Sequence, residues 1–266
     1  MNQIPGEVRT ANMAFLVFWV LVVVLILVTG KRWHRLNSFR EQMLAQWKPS
    51  LAIVALFIVG IGIGGRGFVN LHGITLFCQS LIGLALARGI TGYEPLPVVR
   101  AVMDGKRVWL NIGLMIVIAT VVVVPALIIG TVGLDVGQQV FGETDYTSQA
   151  AGTFPPDKWT AFFLLLGGAG LAEETLFRLV ILSFFWRFTQ RSGLAIILSA
   201  LVFGAYHLSP LNGRYQVFLQ YPMSQFLAST LIGMVWGYLY VKRGYETTVL
   251  GHTLSNWLPF MIFSGV

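Results

Sequence analysis

Apolar runs close to membrane-spanning length recur along this chain with short connections between them, and that repetition leaves few folds open. Hydrocarbon offers no water to backbone N–H and C=O groups, so a segment crossing lipid must satisfy them within itself, as a helix does. Windows of about 20 apolar residues place helices at Ala14 to Val28, Leu51 to Gly64, Ile74 to Ala87, Trp109 to Ile129, Trp159 to Arg187, Gly193 to Leu208, Ser224 to Val241 and Thr248 to Phe263. The reading is an all-α, polytopic transmembrane bundle of about eight spans. Composition agrees, since 56% of residues are hydrophobic, 11% are charged and the mean hydropathy is +0.73, well outside the range of soluble domains.

The first run is too long for a signal peptide, lacks a small-residue cleavage site, and has its basic residues after it rather than before, so it is expected to stay in the mature protein. Charge then sets orientation, because Lys and Arg resist translocation. Alternate connections carry Lys31, Arg32, Arg35, Arg40 and Lys48, then Arg88, Arg100, Lys106 and Arg107, then Arg187 and Arg191, then Lys242 and Arg243. The opposite connections hold Arg9, Arg66, Lys158 and Arg214, and Arg178 lies inside a span. This predicts a multi-pass protein of the cell membrane with its basic loops in the cytoplasm and both termini outside. The net charge of +7 is accounted for by topology and anionic lipid, and no basic stretch interleaves with aromatics as a nucleic-acid site would.

The polar stretch with Asp135, Glu143, Asp145, Asp157 and a Pro-Pro pair reads as an external loop. It divides the chain into a four-span region at 1–133, a loop at 134–158 and a second four-span region at 159–266, all within one integral membrane domain. Gly60/Gly64 and Gly233/Gly237 are spaced for close helix approach. Trp109, Trp159 and Trp186 fall at span ends, where an interfacial aromatic belt is expected. Cys78 is alone, with no partner for a disulfide and no metal-binding pattern.

Glu173, Glu174 and Arg178 stand in the middle of the fifth apolar segment. Each charge there costs roughly 2.5–3.5 kcal/mol on insertion scales unless it is paired, wetted or used. Glu174 and Arg178 are spaced i, i+4 with the acid first, the favourable order for an ion pair on one helix face. Successive helical residues are about 100° apart, so Glu173 faces elsewhere and is left as a candidate general base. The plainer alternative is one buried ionic cluster that sets helix register.

Two further spans carry polar residues. His207 follows Phe203 by one turn, and His252 and Asn256 share a face at i, i+4. Each can be read as an interhelical hydrogen bonder, but Glu, His, His and Asn in three of the last four spans together supply the parts of a hydrolytic site. A Gly-x-Ser-Gly loop is absent, neither His207 nor His252 is followed by Glu as a His-Glu-x-x-His zinc site requires, and Asp104, Asp135, Asp145 and Asp157 fall in connections.

Glu-Glu-x-x-x-Arg at Glu173, Glu174 and Arg178, Phe-x-x-x-His at Phe203 and His207, and His-x-x-x-Asn at His252 and Asn256, in this order, resemble the CPBP (CAAX protease and bacteriocin-processing) family of intramembrane endopeptidases, which includes the Rce1-type prenyl-protein proteases. The resemblance covers roughly Trp159 to Phe263. It implies that Glu173 and His207 activate a water, that His252 and Asn256 bind the oxyanion, and that Glu174, Arg178 and Phe203 support them. It implies a membrane-associated peptide or protein substrate in a lipid bilayer and no cofactor. A metal-dependent variant with Glu173, His207 and His252 as ligands of a divalent ion stays open, as does a non-enzymatic protein: a proton-coupled transporter or a peptide-binding immunity or scaffold protein. Straight helices set the three motifs at different depths. The fifth segment, about 44 Å long at helical rise, also exceeds a core of roughly 30 Å, so tilt or a break at Gly167, Gly168 and Gly170 is expected.

Overall fold

The computed structural model describes residues 6–66, 71–143 and 157–263, and every regular element among them is helical. The first half comprises α1 (Gly6–Thr29), α2 (His34–Leu44), α3 (Trp47–Ile61) extended by a π turn (Gly62–Arg66), α4 (His72–Arg88), α5 (Pro97–Met103) and α6 (Val108–Phe141). The second half opens with one continuous rod made of α7 (Lys158–Leu165), two π-helical stretches (Leu166–Glu173 and Thr175–Leu182) and α8 (Ser183–Thr189). It continues with α9 (Ser192–His207), α10 (Tyr215–Phe218), α11 (Pro222–Arg243) and α12 (Tyr245–Phe263). Three helices, Gly6–Thr29, Trp47–Gly65 and Val108–Phe141, are long and apolar enough to cross a membrane, and Ser192–His207 is apolar but shorter.

Local chemistry explains where elements start and turn. Asp157 caps α7, accepting from the Thr160 amide at 2.7 Å and its hydroxyl at 2.6 Å. These bonds, the hydroxyl's first, hold the Asp157 carboxyl below its ordinary value. Proline occupies the first turn of α5 and of α11, where its missing N–H is no loss. Gly244, at φ +82°, makes the whole corner between α11 and α12, a left-handed conformation that other residues adopt only under strain.

The chain runs back and forth between two ends. At one end Glu7 of α1 accepts from the Tyr215 hydroxyl, Glu143 accepts from the amides of Met223 and Ser224, and the Trp257 indole donates to the Lys158 carbonyl. At the other, Arg187 donates to the Ala85 carbonyl and lies over the Phe39 ring, Tyr245 N donates to Pro95 O, and Glu246 accepts from the amides of Val98 and Val99. The connections gathered at this second end carry most of the basic residues. Outward faces of α1 (Leu21, Leu25, Val28) and α6 (Val117, Val121, Val124) are exposed and apolar. In a membrane protein such surface faces lipid.

Two expectations about boundaries need correction. The predicted external loop from residue 134 is helical as far as Phe141, so Asp135 lies within α6; residues 144–156 of that loop fall outside the described residues. The helix persists because Gly130, Gly133 and Gly137 are buried and let α11 approach: a Cβ on Gly133 would sit 2.7 Å from the Ala228 backbone. Trp109 and Trp159 are exposed as an interfacial belt requires, whereas Trp186 packs on Tyr93 with ring centroids 4.9 Å apart.

The long helices of the first half pack against the second half: α3 and α4 share its main core, α1 packs with the rod and α9 through Trp19, and α6 packs with α11 through Ala126. Ile53, Phe57 and Ile61 of α3 and Leu76 and Leu84 of α4 pack with Leu171, Leu179 and Leu182 of the π rod and with Tyr245 and Val249 of α12. Small residues make these contacts close, as the two glycine pairs predict. Gly60 and Gly64 lie against the rod at Phe163, Leu164 and Gly167, and Gly233 and Gly237 lie against α9. α4 approaches the rod closely at Gly83, where a Cβ would meet Leu179 Cβ at 2.6 Å and its backbone carbon at 2.8 Å. Gly83→Ala is therefore expected to cost about 1–3 kcal/mol by overpacking, read as a lower unfolding midpoint of the purified protein in detergent. An unchanged midpoint would show that the rod can shift freely against α4.

Candidate active site

The rod carries both glutamates at its most irregular point. π-helical turns close i→i+5 rather than i→i+4 bonds and occur mostly as single turns, often at functional sites. Here Glu173 ends one stretch and Thr175 begins the next, with Glu174 at the junction. The break expected at Gly167, Gly168 and Gly170 is thus a widening of the helix rather than an interruption, and it shortens the rod because each turn holds more residues.

Glu174 is the hub of a buried chain. Its Oε1 is 2.6 Å from Nδ1 of His252 and its Oε2 is 3.0 Å from Nε of Arg178, with Glu174 and Arg178 both fully buried. The Arg178 guanidinium lies over the Phe203 ring, 5.2 Å from its centroid. The i, i+4 pairing read from the sequence is therefore present. The contact that spacing alone does not reveal is the one to His252, 78 residues away.

Phe203 gathers the other motifs. Its ring meets His207 edge-on at 4.7 Å and His252 edge-on at 5.9 Å, and Phe177 of the rod packs on it at 4.8 Å. Straight-helix depths do not bring His207 and His252 to one residue. Both reach Phe203 because it lies one turn before His207 at the end of α9 and because His252 lies about 10 Å along α12 at 1.5 Å per residue.

Both histidines are oriented the same way. Nδ1 of His207 is 2.9 Å from the Phe203 carbonyl, which can only accept, so this nitrogen carries the proton and leaves Nε2 free. Nδ1 of His252 faces the Glu174 carboxylate, which again leaves Nε2 free. Asn256 donates its amide to the His252 carbonyl at 3.1 Å, one turn back on its own helix, and its side-chain oxygen accepts from none of the described residues. Glu173 is half-buried, makes no hydrogen bond or ion pair to any described residue, and lies within electrostatic reach of His252, Glu174 and Arg178. Among the described residues no three His, Cys, Asp or Glu side chains are grouped closely enough to hold a metal ion.

Comparison with protein families bears directly on this cluster. Residues 155–258 match the type II CAAX prenyl endopeptidase family, Rce1-like. The chain carries an Rce1-like domain. No curated protein and no solved structure matches the chain. The Rce1-like domain takes in the π rod, α9, α10, α11 and α12 as far as Leu258, and so includes Glu173, Glu174, Arg178, Phe203, His207, His252 and Asn256. The family is one of proteases, and peptide-bond hydrolysis is the class of activity it implies. Helices α1 to α4 lie outside the Rce1-like domain in sequence yet pack into its core.

Two residues of the Rce1-like domain escape sequence reasoning. Trp236 of α11 is fully buried and stacks on His252, ring centroids 5.7 Å apart and planes 20° from parallel. Tyr245 of α12 places its hydroxyl 2.7 Å from the Thr175 hydroxyl, next to Glu174. Both look like ordinary core aromatics in the sequence, and only their partners set them apart.

Proposed function

We propose that this protein is a glutamate-type intramembrane endopeptidase that hydrolyses a peptide bond of a membrane-associated protein or peptide. The observation that carries the reading is the buried Arg178–Glu174–His252 chain inside an Rce1-like domain, with Phe203 packed against Arg178, His207 and His252. Glu173, unpaired and half-buried, takes a proton from a water whose second proton is held by Nε2 of His207. The resulting hydroxide adds to the scissile carbonyl carbon. The oxyanion that forms is met by His252 and Asn256, and the proton on Glu173 passes to the leaving amine, directly or through His207. For Nε2 of His252 to donate, the ring must carry both protons. Glu174 at Nδ1 is the counter-ion, and the Trp236 face is the π partner, that such an imidazolium requires. Asn256 must turn its amide from the His252 carbonyl towards substrate, a rotation about one side-chain bond.

The remaining topology follows the charges. Eight long helices serve as spans, the basic end faces the cytoplasm and both termini face outward in the cell membrane. An apolar cleft of about 500 Å³ lined by Trp19, Phe39, Ile82, Val180, Phe184 and Val202 backs onto the cluster that holds Phe177 and Phe203. It offers a dry seat for the lipid-soluble part of a substrate.

The test is cleavage by the full-length protein in nanodiscs of an internally quenched, farnesylated peptide ending in a CAAX sequence, with the unprenylated peptide alongside. Release of a C-terminal fragment, identified by mass and faster from the prenylated peptide, is the expected result. No cleavage of either peptide by folded protein rejects the prenyl-peptide substrate.

A further inference from the structure

A tyrosine outside every catalytic motif is bonded to the turn that carries both glutamates. The Tyr245 hydroxyl is 3.3 Å from the Leu171 carbonyl and 2.7 Å from the Thr175 hydroxyl, with all three groups buried. A carbonyl can only accept, so Tyr245 donates to Leu171 and accepts from Thr175. These two contacts bracket Glu173 and Glu174 and straddle the junction of the two π stretches. Tyr245 is also in the first turn of α12, the helix that brings His252 to Glu174.

Five residues away, across the Gly244 corner, Tyr240 makes a parallel attachment. The Ser183 hydroxyl donates to the Arg178 carbonyl at 3.1 Å, so Tyr240, 2.8 Å away, donates to Ser183. The two hydroxyls are alike in burial and in bonding to the rod. They differ in that Tyr245 bonds the turn holding the glutamates, whereas Tyr240 bonds the end where the π stretch passes into α8.

Resting on the proteolytic reading above, we propose that Tyr245 is a positioning residue: its hydroxyl sets the rotation and depth of the π turn against α12, and so fixes both the Glu174–His252 contact and the aim of Glu173. A π turn is an uncommon and less favourable winding of the chain, and a side-chain bond across it favours that winding over the α-helical one. Were the turn to rewind, the glutamates would rotate relative to His252, and displacements of about 1 Å can lower rates on the order of 100-fold.

The experiment compares Tyr245→Phe, Thr175→Val and Tyr240→Phe in the full-length protein in nanodiscs. It measures kcat and KM on the quenched farnesylated peptide, and amide hydrogen exchange across residues 171–176. Tyr245→Phe is expected to lower kcat on the order of 10- to 100-fold with KM unchanged and to speed exchange at 171–176. Tyr240→Phe is expected to leave kcat unchanged. Equal losses of kcat in the two tyrosine variants would reduce Tyr245 to a core hydrogen bonder and overturn the proposal, as would wild-type kcat and exchange in Tyr245→Phe. Where Tyr245→Phe does not fold, Thr175→Val decides by the same two readouts. Should the folded wild-type protein leave the peptide intact, the prenyl-peptide substrate has failed on its own terms, and exchange at 171–176 still decides whether Tyr245 holds the turn.

Discussion

Glutamine at position 173 is expected to lower hydrolysis by on the order of 10²- to 10⁴-fold, the usual contribution of a positioned general base, while the protein folds as before. The expectation rests on the isolation of Glu173, which forms no hydrogen bond or ion pair to any described residue and is only half-buried. Glutamine keeps its volume and shape, so packing is preserved and proton acceptance alone is lost. The measurement is kcat on the quenched peptide together with the unfolding midpoint. The reading of all three charges as one structural cluster makes the opposite forecast: Glu173→Gln would then reduce expression and lower the midpoint. A folded Glu173→Gln variant with full activity would exclude Glu173 as the base.

The neighbouring carboxylate should behave in the reverse sense. Glu174→Ala leaves the Arg178 guanidinium fully buried with its ion partner gone, and removing one member of a buried pair typically costs about 3–5 kcal/mol. That is a large fraction of a stability of roughly 5–15 kcal/mol, so the variant is expected to express poorly and to melt well below the wild type. Replacing both partners, Glu174→Leu with Arg178→Met, should recover much of the stability, since well-packed apolar residues often substitute for a buried ion pair at little cost. Activity should not return with it, because His252 still lacks the carboxylate that orients its Nδ1. Recovery of hydrolysis in the double variant would show that Glu174 acts only on the fold.

The contrast between adjacent glutamates shows how much of the site could be read from the chain. Residue spacing gives the Glu174–Arg178 pair, the shared face of Phe203 and His207, and the different direction of Glu173, because all three follow from helical geometry. The all-helical architecture and the close approach at Gly60/Gly64 and Gly233/Gly237 are legible for the same reason. What spacing omits is the choice of distant partner: nothing local to His252 says that Glu174 or Trp236 will meet it. The π stretches are equally hidden, since a run such as Thr175 to Leu182 is apolar enough to hide which winding it adopts. The end of α6 was obscured by composition, although the buried spacing of Gly130, Gly133 and Gly137 is itself a helical signature.

The single-residue corner at Gly244 makes α11 and α12 an indexed pair with no slack in the chain between them. One residue inserted in the first turn of α12 would turn His252 by about 100° about the helix axis relative to that corner, taking its imidazole off both its carboxylate and its indole neighbour at a stroke. Any graft, tag or fusion that respects the site must therefore leave that hairpin uncut.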